Sequence, residues 1–84
     1  MQVTSNVYQR IHALNKADFH EMRAELKHRC GDAYYAIAAG NSAKVSSDEI
    51  VALKRVYGKH KVCLNDDEIV AAVYMTMARS AELR

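Results

Sequence analysis

Apolar residues recur along this chain with helical spacing, and one local pattern marks where helices begin. An apolar residue, then Asn or Ser, then an acid three positions later, then an apolar residue occurs at residues 14–19, 45–50 and 64–69. The Asn or Ser side chain accepts a bond from a free N–H of the first helical turn, and the acid can reach back to this cap. The flanking apolar pair has the spacing of a hydrophobic staple. Three helices are therefore predicted to begin near residues 16, 47 and 66.

Glycines mark the predicted helix ends. Gly31, Gly40 and Gly58 each follow an apolar stripe, at the position where a left-handed C-terminal cap is favoured. Asp32 is a candidate cap for a short helix between the first two glycines. The predicted helices span residues 5–14, 16–30, 33–39, 47–57 and 66–82, with a connector at 59–64. The pattern thus predicts an all-α fold, a compact bundle of about five short helices in one domain over residues 1–84.

The last predicted helix differs from the others because it is apolar nearly all round. Such a helix is buried on several sides, so it is either the central helix or part of a dimer interface. A homodimer is therefore one hypothesis for this chain. The candidate partner-interface residues are Ile69, Val70, Val73, Tyr74 and Met77.

Composition indicates the class of protein and its compartment. The chain has 84 residues and no proline, which suits a single helical domain. Its two cysteines, Cys30 and Cys63, form no CxxC pair and fit a reducing environment. The N-terminus shows no signal-peptide pattern, and no apolar run approaches the roughly 20 residues that span a bilayer. We therefore expect a cytoplasmic protein with no membrane contact.

The sequence contains no motif for catalysis or for nucleotide binding. The glycines are isolated, and neither HExxH nor GxSxG occurs, so we expect no enzyme activity. A zinc site from His28, Cys30, His60 and Cys63 is conceivable, but their spacings match no zinc motif. Cys30 is better explained as a small apolar residue on the core stripe. We expect neither a metal nor a cofactor.

The middle of the chain is basic and resembles a DNA-binding motif. Residues 23–62 contain eight basic and four acidic residues, a net charge of +4. Residues 17–58 follow the order of a helix ending at Gly31, a turn, and a short helix ending at Gly40, and then a polar loop leads to a Ser-capped helix. This order resembles the repressor-type helix-turn-helix of phage Cro and repressor proteins, in which Ile-x-x-Gly ends the recognition helix. Ile37 with Gly40, and residues 46–58, carry the resemblance.

The resemblance implies a small DNA-binding or transcription-associated regulatory protein, of the size common in mobile elements. Basic and polar side chains of the middle segment would then contact phosphates or bases. The candidate contacts to duplex DNA are Lys27, Tyr35, Asn41, Lys44, Lys54, Arg55, Lys59 and Lys61.

The alternative is a helical protein–protein interaction module, such as an adaptor, corepressor or inhibitor, with no nucleic-acid contact. The short helix after Gly31 presents mostly alanine and lacks side chains that read base edges, which favours this alternative. The nearly apolar last helix favours it too. The placement of the basic side chains separates the two hypotheses: one shared face favours DNA, and a scattered arrangement favours the interaction module.

Overall fold

A computed structural model of the chain describes the backbone of residues 3–83 and the side chains of residues 6–83. Within this part the chain forms four α-helices and two short 3₁₀ turns, and no strand. The all-α prediction is therefore confirmed, whereas the prediction of five helices is wrong by one. The elements in chain order are α1 (Val3–His12), α2 (Lys16–Ala38), a 3₁₀ turn (Ser42–Lys44), α3 (Ser47–Lys59), a 3₁₀ turn (Asp66–Glu68) and α4 (Ile69–Glu82).

The predicted helix starts near residues 16 and 47 are confirmed, and a local capping residue precedes each of them. Asn15 Oδ1 accepts a bond of 2.8 Å from the Asp18 N–H at the start of α2. At the start of α3, Ser46 and Glu49 form a reciprocal capping box. The third predicted start is wrong by three residues, because residues 66–68 form a 3₁₀ turn and α4 begins directly after it at Ile69.

The missing fifth helix is explained by Cys30. Its backbone is non-helical (φ −130°, ψ 31°), but α2 bends there and continues to Ala38, so the helix does not end at Gly31 as predicted. The reason is packing: Ala33, Tyr34 and Ile37 extend the buried stripe that the first half of α2 begins. The predicted helices 16–30 and 33–39 are therefore two halves of one kinked helix.

The other two glycines have different outcomes. Gly40 has φ +87° and caps α2 as predicted, with the Asn41 N–H bonded to the Ala36 carbonyl at 2.8 Å. Gly58, in contrast, lies inside α3, so the predicted end at residue 57 is wrong. The left-handed residue after α3 is Lys61, with φ 69°.

The core takes residues from all four helices, and α2 packs against both α3 and α4. One polar link crosses this core: Tyr57 Oη of α3 lies 2.8 Å from Thr76 Oγ1 of α4, and Thr76 Oγ1 also donates to the Ala72 carbonyl. The fully buried side chains that anchor one side of α4 are Ile69, Ala72, Val73 and Thr76. Within residues 3–83, no helix is long and apolar enough to cross a membrane.

Arg79 fastens α1 to α4. Its guanidinium donates to the carbonyls of Ile11, at 2.5 Å, and Leu14, at 2.8 Å. Ile11 lies in the last turn of α1 and Leu14 just after it, in the region where backbone carbonyls lack helical partners. The same guanidinium lies 4.7 Å from the centre of the Phe19 ring, a favourable cation–π distance. The only basic side chain described on α4 is therefore directed at α1.

Candidate functional site

The outer side of α4 is apolar along its middle. Between residues 69 and 78 the sequence has no charged side chain, and Tyr74 is 44% exposed. The spacing of the outer apolar positions, alternating four and three residues, is the spacing with which one helix packs on another. We define the α4 face as Val70, Ala71, Tyr74, Met77, Ala78 and Ala81, all exposed or half-buried.

Acidic side chains bound the α4 face at both of its ends. Asp66 and Asp67 are exposed in the 3₁₀ turn before α4, and Glu82 is exposed in its last turn. Asp66 is paired with Lys54 at 2.8 Å, and Glu82 Oε1 is 3.9 Å from His12 Nε2. Both carboxylates nevertheless remain open to solvent, with side chains 66% and 70% exposed.

The five residues predicted for a partner interface divide between the core and the surface. Ile69 and Val73 are fully buried within this chain, because the other helices cover that side of α4. They are core residues in this structure and are not available to a partner. Tyr74 is exposed, and Val70 and Met77 are half-buried beside it. The surviving three all belong to the α4 face.

Two of the residues predicted to contact DNA are engaged by acids within the chain. Lys54 Nζ lies 2.8 Å from Asp66, and Lys59 Nζ lies 3.0 Å from Glu25 of α2. Lys54 and Lys59 stand about 140° apart around α3, given roughly 100° per residue. They therefore point to opposite edges of the helix and do not form one basic face.

The other six predicted DNA contacts are exposed but come from separate segments. Among residues 6–83, four of the basic side chains in the set have no ion pair: Lys27, Lys44, Arg55 and Lys61. Tyr35 is 47% exposed on α2, and Asn41 is exposed after it. A shallow groove lined by Leu14, Asp18 and His60 brings together Lys59 and Lys61.

Glu25 is a centre of charge that joins α2 to the end of α3. Its carboxylate lies 2.9 Å from His60 Nε2, 3.0 Å from Lys59 Nζ and 2.9 Å from Arg29 Nε. Hydrogen bonds from His60 and then Lys59 hold the pKa of Glu25 below its ordinary value. The i,i+4 pair with Arg29 is visible in the sequence, but the contacts with residues 59 and 60 depend on how α2 and α3 pack.

A groove of about 360 Å³ opens beside the kink in α2. Cys30 lines it together with His28, Asp32 and Glu49, the last from α3. Burial raises the pKa of the Cys30 thiol, which disfavours the reactive thiolate. Within the described part of the chain, no three His, Cys, Asp or Glu side chains stand together in a way that could hold a metal ion.

Comparison of the chain with protein-family models, with curated proteins and with solved structures found no match. The fold and the surface define an all-α domain whose α4 presents an apolar face bounded by acids. Its function is therefore argued from this surface.

Proposed function

We propose that this chain is a helical protein-interaction module that acts in the cytoplasm and binds its partner through the α4 face. The observation that carries the proposal is Tyr74, 44% exposed within a helix surface that has no charge between residues 69 and 78. Tyr and Met are enriched at protein interfaces, and exposed aromatic side chains often supply much of the binding energy.

The support beneath the α4 face favours this role. The opposite side of α4 is buried, and the Tyr57–Thr76 contact and the Arg79 bonds tie the helix to α3 and α1. A surface held in this way loses little conformational freedom when a partner binds, so less of the interaction energy is lost to ordering.

Site-specific photo-cross-linking tests the proposal. A photoreactive amino acid replaces Ala78 at the centre of the α4 face, and in a matched variant it replaces Tyr35, whose exposure of 47% is close to that of Tyr74. In a lysate of the host cells, we expect a discrete protein adduct from position 78 and none from position 35. Equal labelling from both positions, or no protein adduct from position 78, would refute the proposed function.

The second candidate function is attachment to duplex DNA in transcription regulation, and the exposed Lys27, Lys44, Arg55 and Lys61 favour it. None of these four has an acidic partner within residues 6–83. Binding to random duplex DNA should then weaken steeply with salt, because each phosphate contact releases a counterion. Alanine at all four positions should flatten this dependence. No binding at low salt would exclude this candidate in its non-specific form.

A second copy of the chain is an alternative occupant of the α4 face. Such a homodimer would bury Tyr74 against the same helix of its partner. Light scattering at micromolar concentration measures the mass directly, and a monomeric mass would count against the homodimer.

A further inference from the structure

From the charges at the two ends of the α4 face, we infer the chemistry of its partner: an amphipathic helix that carries an apolar stripe and basic residues at both of its ends. This inference rests on the proposed function and names the class of partner for the same surface. The relevant observation is the order of exposed side chains along the helix: acids at 66 and 67 come first, then Tyr74, Ala78 and Ala81, and then Glu82.

The acids are in excess because the basic side chains near α4 are directed elsewhere. Arg79 donates both of its terminal nitrogens to backbone carbonyls at the end of α1. Lys54 offsets one of the two acids at the beginning of the face, and no ion pair involves Asp67 among the described residues. At the other end, His12 lies 3.9 Å from Glu82, whose side chain is 70% exposed. Among the described residues, the two ends of the α4 face therefore carry more acidic than basic side chains, although the chain as a whole has a net charge of +2.

This charge pattern discriminates between occupants of the face. In an antiparallel pair of α4 helices, Asp67 of each copy would lie near Glu82 of the other. In a parallel pair each acid would lie near its own counterpart. Both arrangements place like charges together, which is unfavourable at an interface. The phosphates of a nucleic acid would be repelled by the same acids, whereas lysine or arginine at the ends of a partner helix would be attracted.

The apolar middle sets the other requirement on the partner. Val70, Tyr74, Met77 and Ala81 follow one another at the four- and three-residue steps of a helix-packing seam. A partner helix that meets this seam needs apolar side chains at matching steps, which is the helix-in-groove type of peptide recognition. The apolar contact gives affinity, and the terminal charges select the partner and its binding rate.

Two fluorescent synthetic peptides test the inference on the full chain. Both form an amphipathic helix with leucine at the seam positions, and one carries lysine at both ends where the other carries glutamate. Fluorescence anisotropy measures each dissociation constant at about 10 mM and about 150 mM salt, where screening differs strongly. We expect the lysine peptide to bind about tenfold more tightly at low salt, since exposed ion pairs are individually weak and several act together. The preference should shrink at the higher salt.

Substitutions in the protein test whether the peptide preference arises at the α4 face. Combined Asp67→Lys and Glu82→Lys should reverse the preference between the two peptides. Tyr74→Asp should weaken both peptides, while Tyr35→Asp, at a tyrosine of similar exposure, should leave both unchanged. Circular dichroism confirms that each variant is folded.

The outcomes separate this inference from the proposed function. If both peptides bind equally and Tyr74→Asp weakens both, the apolar face stands and the charge inference is wrong. An unchanged preference in the charge-reversed variant also overturns it, as does a dimer of this chain that Tyr74→Asp dissociates. If neither peptide binds, the inferred partner chemistry is wrong, and cross-linking from position 78 still decides the proposed function independently.

Discussion

The hydroxyl groups of Tyr57 and Thr76 lie 2.8 Å apart in the core and form a direct polar link between α3 and α4. Burial raises the pKa of Tyr57 far above its ordinary value, so the phenol is protonated and can donate to Thr76 at neutral pH. Tyr34 is also fully buried, but its hydroxyl forms no hydrogen bond of good geometry among the described residues and has only the Arg23 guanidinium near it. The two buried tyrosines therefore allow the contribution of the Tyr57 hydrogen bond to be compared with that of a hydroxyl without such a bond.

Removal of each hydroxyl should have a different effect on stability. Tyr57→Phe breaks the bond with Thr76 and should lower the free energy of unfolding by about 1 kcal/mol. Tyr34→Phe removes a buried hydroxyl that has only the Arg23 guanidinium nearby and no bond of good geometry, so the free energy of unfolding should change less than in Tyr57→Phe. Urea denaturation of both variants measures the difference. A larger loss from Tyr34→Phe than from Tyr57→Phe would contradict the hydrogen-bond assignment.

Lys61 offers a stabilising substitution, because it holds a left-handed backbone conformation that disfavours a side chain. Lys61→Gly should raise the free energy of unfolding by about 1 kcal/mol, since glycine adopts positive φ without the steric cost. Gly40→Ala is the converse case, at φ +87° with no atom within 4 Å of an added Cβ. It should lower stability by about 1 kcal/mol through backbone strain alone. Opposite shifts in the urea midpoint are the expected result, and equal signs would contradict it.

The charge centre at Glu25 should make stability depend on acid pH. Its pKa is lowered from an ordinary value of 4.5, mainly by hydrogen bonds from His60 and Lys59. A carboxyl with a depressed pKa in the folded state contributes stability above the unfolded pKa, and this contribution is lost as pH falls through the folded value. Glu25→Gln should therefore lower the midpoint of urea denaturation at neutral pH, and its deficit should shrink below about pH 4.5.

Glu21→Gln is the control for this experiment. Glu21 lies on the same helix, is exposed, and has no ion pair within residues 6–83. Its substitution should change the midpoint little at any pH. A deficit of Glu25→Gln that stays constant down to acid pH would show that the carboxylate charge is not responsible.

The contribution of the α3 capping box to stability can be measured by comparing substitutions at the adjacent Ser46 and Ser47. Ser46 Oγ accepts from the Glu49 N–H at 3.2 Å, whereas the side chain of Ser47 forms no described hydrogen bond. Ser46→Ala should cost about 1 kcal/mol of stability, a typical value for the loss of an N-cap. Ser47→Ala should be nearly neutral. Similar losses at both positions would mean that the cap does not set the start of α3.

Structural features that depend on residues close together in the sequence could be predicted from it. The helix starts after Asn15 and Ser46 are predictable because each of these side chains accepts a hydrogen bond from the backbone N–H three residues later. The helix ends were less predictable, because tertiary packing competes with local preference. Gly31 lies within α2 because buried residues continue beyond it, whereas α3 passes Gly58 by a single exposed residue, Lys59. The left-handed residue after α3 is Lys61, which a rule based on glycine does not select.

The candidate site shows the same division. The run of apolar residues in the sequence distinguished α4 from the other helices. It did not show which side of α4 packs into the core, so Ile69 and Val73 were assigned to an interface although both are buried core residues. The partners of Lys54 and Lys59 lie 12 and 34 residues away along the chain. Such ion pairs form only once the helices have packed. The sequence therefore did not show which of the eight residues predicted to contact DNA are paired with acids.

The bonds from Arg79 to the end of α1 have a consequence for the order of assembly. They join residues 68 and 65 positions apart, so the carbonyls at the end of α1 gain these donors only when α4 is already in place. Long-range contacts of this kind form late, because the intervening chain must be ordered first. We therefore expect α1, which is synthesised before α4, to dock only after α4 has packed. Hydrogen exchange should accordingly find its amides opening before those of α2 and α3.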